Sequence, residues 1–209
     1  MAITTYTELK SAVADWLNRS DLSSAIANFI ALSETQTERN LRVRQMLTRS
    51  NASIDTKFST VPSDFLQART FKLTSTSPIQ PLEFATDDQM DDLDAANTAP
   101  SRPLYYSVVG NQLRVHPIPD STYTAEMSYF SKIPRLSDSV STNWLLTMAP
   151  DIYLYGALIQ SAPYLKDDER INVWTTLYAA GLDALRVADQ GATSSRGVLK
   201  SKVKPFGVR

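Results

Sequence analysis

The chain has 209 residues, of which 43% are apolar and 21% are charged, with no cysteine, one histidine and six glycines. A chain of this length forms one domain or two small ones, and it can bury enough surface to fold without disulfides. The lack of cysteine excludes thiol catalysis, iron–sulfur clusters and thiolate zinc sites, and a single histidine excludes a histidine-rich metal site. No glycine belongs to a G-x-G-x-x-G or G-x-x-x-x-G-K-[ST] phosphate-binding loop.

The net charge of −1 is the balance of two opposed regions. Residues 55–99 carry eight acidic and three basic side chains, a local charge of −5, and residues 190–209 carry five basic side chains and no acid, a local charge of +5. This separation predicts contacts with partners of complementary charge. The start, MAITTYTELK, has no apolar signal core, so we expect no secretion. Polar residues and prolines interrupt the apolar segment 144–165, so we expect a buried helix and no membrane partner.

Residues 1–50 are predicted to form two helices. Thr5 and Glu8 stand at capping-box spacing, which marks the start of the first helix. Its apolar stripe is Leu9, Val13, Trp16 and Leu17. Ser20 or Asp21 is expected to cap the second helix, which is predicted to reach about Met46. The predicted buried side of that helix is Leu22, Ile26, Phe29, Ile30 and Leu41.

The second half of this second helix is charged, and its charged residues are Glu34, Glu38, Arg39, Arg42 and Arg44. Glu38 and Arg42 are four residues apart, in the order that favours pairing on a helix surface. Two interpretations remain open, a solvated face or a helix surface that contacts neighbouring subunits in an oligomer. The five residues are therefore the candidate subunit–subunit contact.

Residues 51–136 change to a period of two, which predicts a β-rich insert. Alternation predicts a strand at Ala52, Ile54, Thr56 and Phe58, another around Phe71 and Leu73, and a last one at Tyr123, Ala125, Met127 and Tyr129. Segment 61–66 ends the first strand, and segment 81–84 is predicted to be a strand edge or turn. Thr86 is predicted to cap a short helix whose first turn carries Asp87 and Asp88. Gly110-Asn111 predicts a two-residue hairpin turn between segments 104–109 and 113–116.

Helical periodicity returns in residues 137–191. Pro150 and Asp151 are typical of a helix start, and Pro163 and Lys166 are expected to mark its end. The apolar side of this helix is Ile152, Tyr155, Leu158, Ile159 and Ala162. Asp167 or Asp168 is expected to cap the last helix, and Gly191 to end it. The long stripe of the last helix is Ile171, Trp174, Leu177, Tyr178, Leu182, Leu185 and Ala188.

The predicted fold class is α+β. A four-helix bundle core combines two N-terminal helices in residues 1–50 with two C-terminal helices in residues 137–191. Residues 51–136 form a central antiparallel β insert, and residues 192–209 form an extended C-terminal arm without a periodic core face.

Catalytic and metal-binding chemistry finds little support in the sequence. His116 lies between Val115 and Pro117, and because no nucleophile elbow accompanies it we interpret it as structural or exposed rather than as part of a triad. The acidic stretch 87–94 lacks the ligand order of an EF-hand, which leaves a solvated helix face, an electrostatic contact or a metal site. We predict no catalytic residue, metal or cofactor, although paired carboxylates keep a glycan hydrolase open as an alternative.

The arm is basic, and its lysines recur at every second position from Lys200 to Lys204. Such alternation suits strand addition or groove docking on a partner. A nucleic-acid arm that contacts phosphates and a frayed terminus are the other two interpretations. The candidate partner contacts are Arg196, Val198, Leu199, Lys200, Lys202, Val203, Lys204, Phe206 and Arg209.

The order of segments resembles the head–tail adaptor (connector) proteins of tailed bacteriophages, in particular those of short-tailed phages. The resemblance covers nearly the whole chain, and Ser33 departs from it because an alanine is expected there. The segments that carry it are YTEL (6–9), WL (16–17), IALSE (30–34), RNLRVR (39–44), VPSDFL (61–66), YSVVGN (106–111), PIP (117–119), YFSKIP (129–134), NWLL (143–146) and APDIYLY (149–155).

The resemblance implies a structural virion protein rather than an enzyme. Such adaptors form a ring, commonly dodecameric, that joins the portal protein to a tail nozzle or tube and lets genomic DNA pass without sequence-specific binding. They are assembled in the host cytoplasm and lie in the neck of the virion, and the C-terminal arm of similar proteins docks on the portal. The alternatives are a tail-associated glycan hydrolase and a nucleic-acid-binding protein that uses the basic arm.

Overall fold

A computed structural model describes residues 2–165 and 170–193, and these residues divide into two units. Unit 1 takes the residues up to Thr37 and the described residues from Leu145 onward. Unit 2 is the continuous segment Glu38–Trp144. The chain therefore begins unit 1, builds all of unit 2 and then returns to complete unit 1.

Two helices open the described part of the chain, eight strands with one helix among them follow, and three helices come last. The helices are α1 (Tyr6–Leu17), α2 (Ser23–Asn40), α3 (Asp87–Ala96), α4 (Trp144–Met148), α5 (Pro150–Leu165) and α6 (Ile171–Thr193), with a short 3₁₀ turn at Arg44–Met46. The strands are β1 (Leu47–Ile54), β2 (Phe58–Thr60), β3 (Phe65–Leu73), β4 (Gln80–Pro81), β5 (Glu83–Phe84), β6 (Tyr105–Val109), β7 (Gln112–His116) and β8 (Tyr123–Ser131). None of the described helices has the length and hydropathy that crossing a membrane requires.

Unit 1 is helical, with α1 packed on α5 and α5 packed on α6. The predicted capping box of α1 is confirmed, because Thr5 Oγ1 accepts from the backbone N of Glu8 and Glu8 accepts from the backbone N of Thr5. The side chain and backbone of Thr4 donate to the same carboxylate, and with Thr5 they lower the pKa of Glu8 to about 2. Trp16, predicted to belong to the apolar stripe, is 48% exposed and touches the ring of Tyr155 edge-on.

Unit 2 contains two four-stranded sheets. Sheet A has the strand order β1-β8-β3-β4, and sheet B has the order β2-β7-β6-β5. All pairs are antiparallel except β5–β6, which is parallel. Both sheets contribute to one core, where the rings of Phe71 in β3 and Tyr106 in β6 meet edge-to-face. Helix α3 packs against β6 and β7 of sheet B.

The alternation that predicted β8 is confirmed by burial. Ala125, Met127 and Tyr129 are buried in the core of unit 2, while Glu126 and Ser128 lie between them on the other face of sheet A. The predicted hairpin is also confirmed, because Val109 pairs with Gln112 across the two-residue turn Gly110-Asn111. Gly110 has φ +60°, the conformation that glycine adopts at the first central position of a type II′ turn.

The predicted core of four helices with one β insert is wrong, although the chain is α+β. The described residues contain six α-helices and two sheets, and α3 lies in unit 2 with sheet B rather than in a helical core. Unit 2 also has its own hydrophobic core. Alternation in a sequence marks strands but not their partners, so the pattern could not distinguish two sheets from one.

Some predicted boundaries are corrected as well. The second helix ends at Asn40 rather than near Met46. Leu41 and Val43, two positions apart, are both buried, and one helix face does not provide that spacing. The predicted strand 52–58 is two strands, since the chain leaves sheet A after Ile54 and enters sheet B at Phe58. Pro163 lies inside α5, and α6 continues past Gly191. The predicted caps Asp167 and Asp168 and the arm from residue 194 onward lie outside the described residues.

Candidate assembly surface

Helix α3 begins where the sequence predicts it. Thr86 Oγ1 accepts from the backbone N of Gln89, and Gln89 Oε1 accepts from the backbone N of Thr86 at 3.0 Å, which completes a capping box. Asp87 and Asp88 occupy the first turn, where the helix dipole favours negative charge. The acidic composition of the segment is therefore compatible with a stable helix start.

A buried arginine holds one face of α3 against sheet B. The side chain of Arg114 in β7 is 8% exposed, and its guanidinium donates to Asp87 (Nη1–Oδ1, 2.7 Å), to Asp91 (Nη2–Oδ1, 2.6 Å) and to Asp94. Positions 87, 91 and 94 lie on one face of a helix because their spacing is four and then three residues. We call Arg114 and these three carboxylates the arginine clamp.

Asp94 is the centre of this network, because Lys57 and His116 also bond to its carboxylate. Burial disfavours the ionised form of Asp94, but the hydrogen bonds from Lys57, Arg114 and His116 outweigh it and keep the pKa of Asp94 well below its usual range. Burial likewise opposes the charge of Arg114, and the carboxylates outweigh it and raise the pKa of Arg114 above its usual range. Both groups are therefore charged at neutral pH.

His116, the one histidine of the chain, is buried and places Nδ1 2.8 Å from Asp94 Oδ1. Within the described residues its side-chain hydrogen bonds lead to Asp94 and to no hydroxyl that would act as a nucleophile. The part of the chain that the structure describes contains no group of three or more acidic or histidine side chains placed to hold a metal ion. The position of His116 makes it a link between β7 and α3.

The outer face of α3 is left for other contacts. Asp88 and Asp92 are exposed, and no ion pair among the described residues involves either carboxylate. Asp92 lines a shallow cleft with Glu83 and with Phe84, whose side chain is 63% exposed. We call Glu83, Asp88 and Asp92 the acidic ridge.

A second cleft, with the opposite charge, lies on sheet A of the same unit. Its volume is about 400 Å³, and its lining residues are Arg44, Leu47, Thr48, Arg49, Arg69, Thr70 and Ser128. Arg49 and Thr70 both pair with Ser128, so these three residues form one row across β1, β8 and β3. Arg69 sits at a register shift of β3, and such bulges redirect side chains. We call this site the arginine cleft.

Glu126, two residues before Ser128 in β8, is already paired. Glu126 accepts a hydrogen bond from Lys72 at 2.8 Å, and that bond, with smaller contributions from the charges of Lys72 and Arg49, lowers the pKa of Glu126. Arg69 forms no ion pair within residues 2–165 and 170–193. The cleft therefore presents the positive charge of Arg69, which is unpaired among the described residues, together with the hydroxyl groups of its threonines and serine.

The structure separates the five predicted subunit-contact residues. Glu34 is buried in unit 1 and accepts a hydrogen bond from Tyr153 at 3.3 Å. In unit 2, Arg42 Nη1 donates to the backbone oxygen of Glu38 at 2.6 Å instead of to its carboxylate, which lies 3.9 Å from Arg135. Arg39 and Arg44 are exposed, and Arg44 lines the arginine cleft.

Sequence reasoning missed Arg49, Arg69 and Arg114. Arg49 and Arg69 are twenty positions apart in the chain, and strand register alone brings them together. Arg114 gave a weak signal, since it is a charged residue between Leu113 and Val115 in a predicted strand. The predicted contacts between Arg196 and Arg209 lie outside the described residues.

Comparisons with known proteins identify the family to which the chain belongs. The model of a family described as SU10 adaptor protein matches residues 4–200, nearly the whole chain. A comparison with curated proteins finds no match. The resemblance to phage head–tail adaptors is thereby confirmed at the level of the adaptor family. The chain belongs to the SU10 adaptor protein family and is a bacteriophage head–tail adaptor.

Proposed function

We propose that this protein is a structural subunit of a ring that joins the portal to the tail in the neck of a virion. The ring is expected to be dodecameric and of the short-tailed phage type, with a tail nozzle or tube below it and a channel through which genomic DNA passes. The observation that carries this proposal is the family match over residues 4–200. An adaptor family implies contacts with portal and tail components.

The portal contact is assigned to the C-terminal arm, residues 192–209. Its local charge of five basic residues and no acid within 190–209 supports docking on a partner surface of opposite charge. The alternation of Lys200, Lys202 and Lys204 with smaller or apolar residues supports an extended binding mode. The described part of α6 ends at Thr193, directly before most of the arm.

Contacts between subunits are assigned to the charged segment Glu34–Arg44 and to the exposed flank of α6. Arg39 and Arg44 are exposed, which supports their role, and Glu34 contributes from inside unit 1 by holding Tyr153. Along α6, exposed apolar or small residues recur at alternating steps of four and three: Val173, Leu177, Ala180, Ala184 and Val187. A helix whose apolar arc extends beyond its buried face favours packing against a further helix.

Deletion of residues 192–209 tests the portal assignment. The full chain is expected to bind purified portal rings and to add a ring that electron microscopy resolves, and the deleted chain is expected to keep its circular dichroism spectrum but lose portal binding. A matched control keeps the arm and replaces Lys200, Lys202 and Lys204 by arginine, which preserves charge and is expected to bind.

Two results would contradict these assignments separately. Portal binding by the deleted chain would show that the arm is not the contact. Failure of the full chain to bind portal at all, in low and in physiological salt, would contradict the adaptor ring itself.

A further inference from the structure

We propose that the arginine cleft of one subunit binds the acidic ridge of a neighbouring copy of this chain. The inference rests on the proposed adaptor ring, and it adds to the subunit contacts already assigned a pair of charged surfaces through which neighbouring copies recognise each other. Both surfaces belong to unit 2, so each copy carries the basic cleft and the acidic ridge.

The cleft has the chemistry to take carboxylates. Three guanidinium groups, from Arg44, Arg49 and Arg69, line a space of about 400 Å³. Arginine binds carboxylates through two parallel hydrogen bonds, and the hydroxyl group of Thr70 adds a further donor. Glu126 takes its hydrogen bond from Lys72 and interacts with Arg49 through charge only, so Arg69 and the hydrogen-bond donors of Arg49 remain for an incoming acid.

The helix that carries Asp88 and Asp92 of the acidic ridge is fixed in position within unit 2. The arginine clamp fixes the inner face of α3, so the outer carboxylates of Asp88 and Asp92 lie one helical turn apart on an anchored helix. Rigid presentation lowers the entropy lost on binding. Phe84, 63% exposed beside Asp92 and Glu83, adds an apolar contact to the charged one.

A second copy explains the pair of patches better than duplex DNA does. A ring closes when each subunit uses two different complementary surfaces in a heterologous contact. The ridge and the cleft are two such surfaces with opposite charge on one unit. A binder of duplex phosphates is expected to be basic overall, whereas this chain carries a net charge of −1.

Charge reversal tests the contact. Arg49→Glu with Arg69→Glu, or Asp88→Arg with Asp92→Arg, is expected to weaken self-association measured by sedimentation at least about tenfold, since close interfacial charge pairs couple strongly. Equal mixing of the two reversed chains brings opposite charges together at both contacts of each copy when the chains alternate, so the mixture is expected to regain assembly. A chain carrying all four changes also restores both contacts and is expected to assemble within about threefold of the original.

Matched controls use exposed charges of unit 2 outside both patches. Arg102→Glu and Asp55→Lys reverse the same kinds of charge, and they are expected to leave assembly unchanged. Circular dichroism melting checks that every variant is folded. All variants are expected to fold, because none of the changed residues belongs to the arginine clamp.

Cross-linking gives the direction of the contact. Because the chain has no cysteine, Arg69→Cys and Asp92→Cys chains each carry a single thiol. With a short bismaleimide, mixing the two chains is expected to give cross-linked dimers at high concentration or on portal rings, while either chain alone gives few. Efficient cross-linking of Asp92→Cys to itself would indicate a symmetric contact and would overturn the proposal.

Three further outcomes distinguish failure of this inference from failure of the proposed adaptor function. No cross-link between the two chains, either free or on portal rings that have bound them, overturns this inference and leaves the adaptor function intact. Loss of duplex DNA binding in the arginine variants, with self-association unchanged, would assign the cleft to phosphates instead. Failure to bind portal, with the cross-link still formed, would contradict the adaptor ring and leave the contact between copies standing.

Discussion

The hydroxyl of Ser33 in α2 occupies the space that a β-carbon at Gly156 in α5 would need. A β-carbon built there overlaps Ser33 Oγ and lies 3.1 Å from Ser33 Cβ and 3.2 Å from Tyr178 Cε2. The side chains of α2 and α6 thus close over a position of α5 that has no side chain. Ser33 Oγ is buried and has no hydrogen-bond partner within the described residues. Its contribution to unit 1 is therefore steric.

Gly156→Ala is expected to destabilise the protein by about 1–3 kcal/mol, the usual cost of overpacking. Ser33→Ala alone is expected to change the free energy of unfolding by less than about 1 kcal/mol, because it removes an unpaired hydroxyl. In the Ser33→Ala background, Gly156→Ala should cost less than in the original chain. Urea denaturation followed by tryptophan fluorescence measures this cycle, and equal costs in both backgrounds would contradict the steric account.

Asp94→Asn is expected to lower stability at neutral pH by about 2–3 kcal/mol, because it weakens the bonds to buried Arg114 and to Lys57. The pKa of Asp94 in the folded protein lies below its ordinary value of 3.8, so the unfolded chain binds more protons near that pH. The stabilisation is complete above the unfolded pKa and is lost as pH falls through the lower, folded pKa.

Melting temperature against pH checks this prediction for Asp94. The original chain should lose stability more steeply than the variant below about pH 4, where unpaired aspartates begin to protonate. Asp91→Asn is the matched control: its side chain is 70% exposed, and it should cost less than about 1 kcal/mol. Parallel pH profiles for the original chain and Asp94→Asn would show that the lowered pKa of Asp94 does not cause the loss of stability at low pH.

Thr5→Ala is expected to destabilise α1 by about 1 kcal/mol, because the capping hydroxyl that accepts from Glu8 is removed. Thr5→Ser keeps that hydroxyl and should retain most of the stability. Thr7→Ala changes an exposed neighbour of the same type and serves as the control. The comparison is made by guanidinium denaturation, and equal effects of the changes at positions 5 and 7 would argue against the cap.

Gly110→Ala is expected to cost about 1–2 kcal/mol, since a β-carbon is disfavoured at φ +60° even though nothing lies within 4 Å of its place. Gly110→Asn should cost less, because asparagine tolerates positive φ better. Amide hydrogen exchange at Val109 and Gln112, which flank the turn, reports its opening. Unchanged amide hydrogen exchange in Gly110→Ala would contradict the expected backbone strain at this position.

Local features of the fold could be predicted from sequence because the pattern and the physical cause lie in the same few residues. The caps at Thr5 and Thr86, the turn at Gly110 and the alternation in β8 are of this kind. The partition into two sheets could not be predicted, since strand partners far apart in the chain decide it.

The candidate assembly surface was likewise predictable only in its local parts. An acidic helix near residue 87 was predictable, but its clamp by Arg114 depends on hairpin register. The arginine cleft depends on three strands and a bulge, and no short segment encodes it. The likeness of the whole chain to head–tail adaptors was carried by many weak segments together, and the family match over residues 4–200 confirms it.

The return of the chain to unit 1 after unit 2 imposes an order on folding during synthesis. The continuous segment Glu38–Trp144 leaves the ribosome before α5 and α6, so its two sheets can close while the first helices still lack their partners. The apolar faces of α1 and α2 then stay uncovered until the last third of the chain is made. The first helices of newly made adaptor are therefore open to aggregation and to chaperones until α5 and α6 have been made.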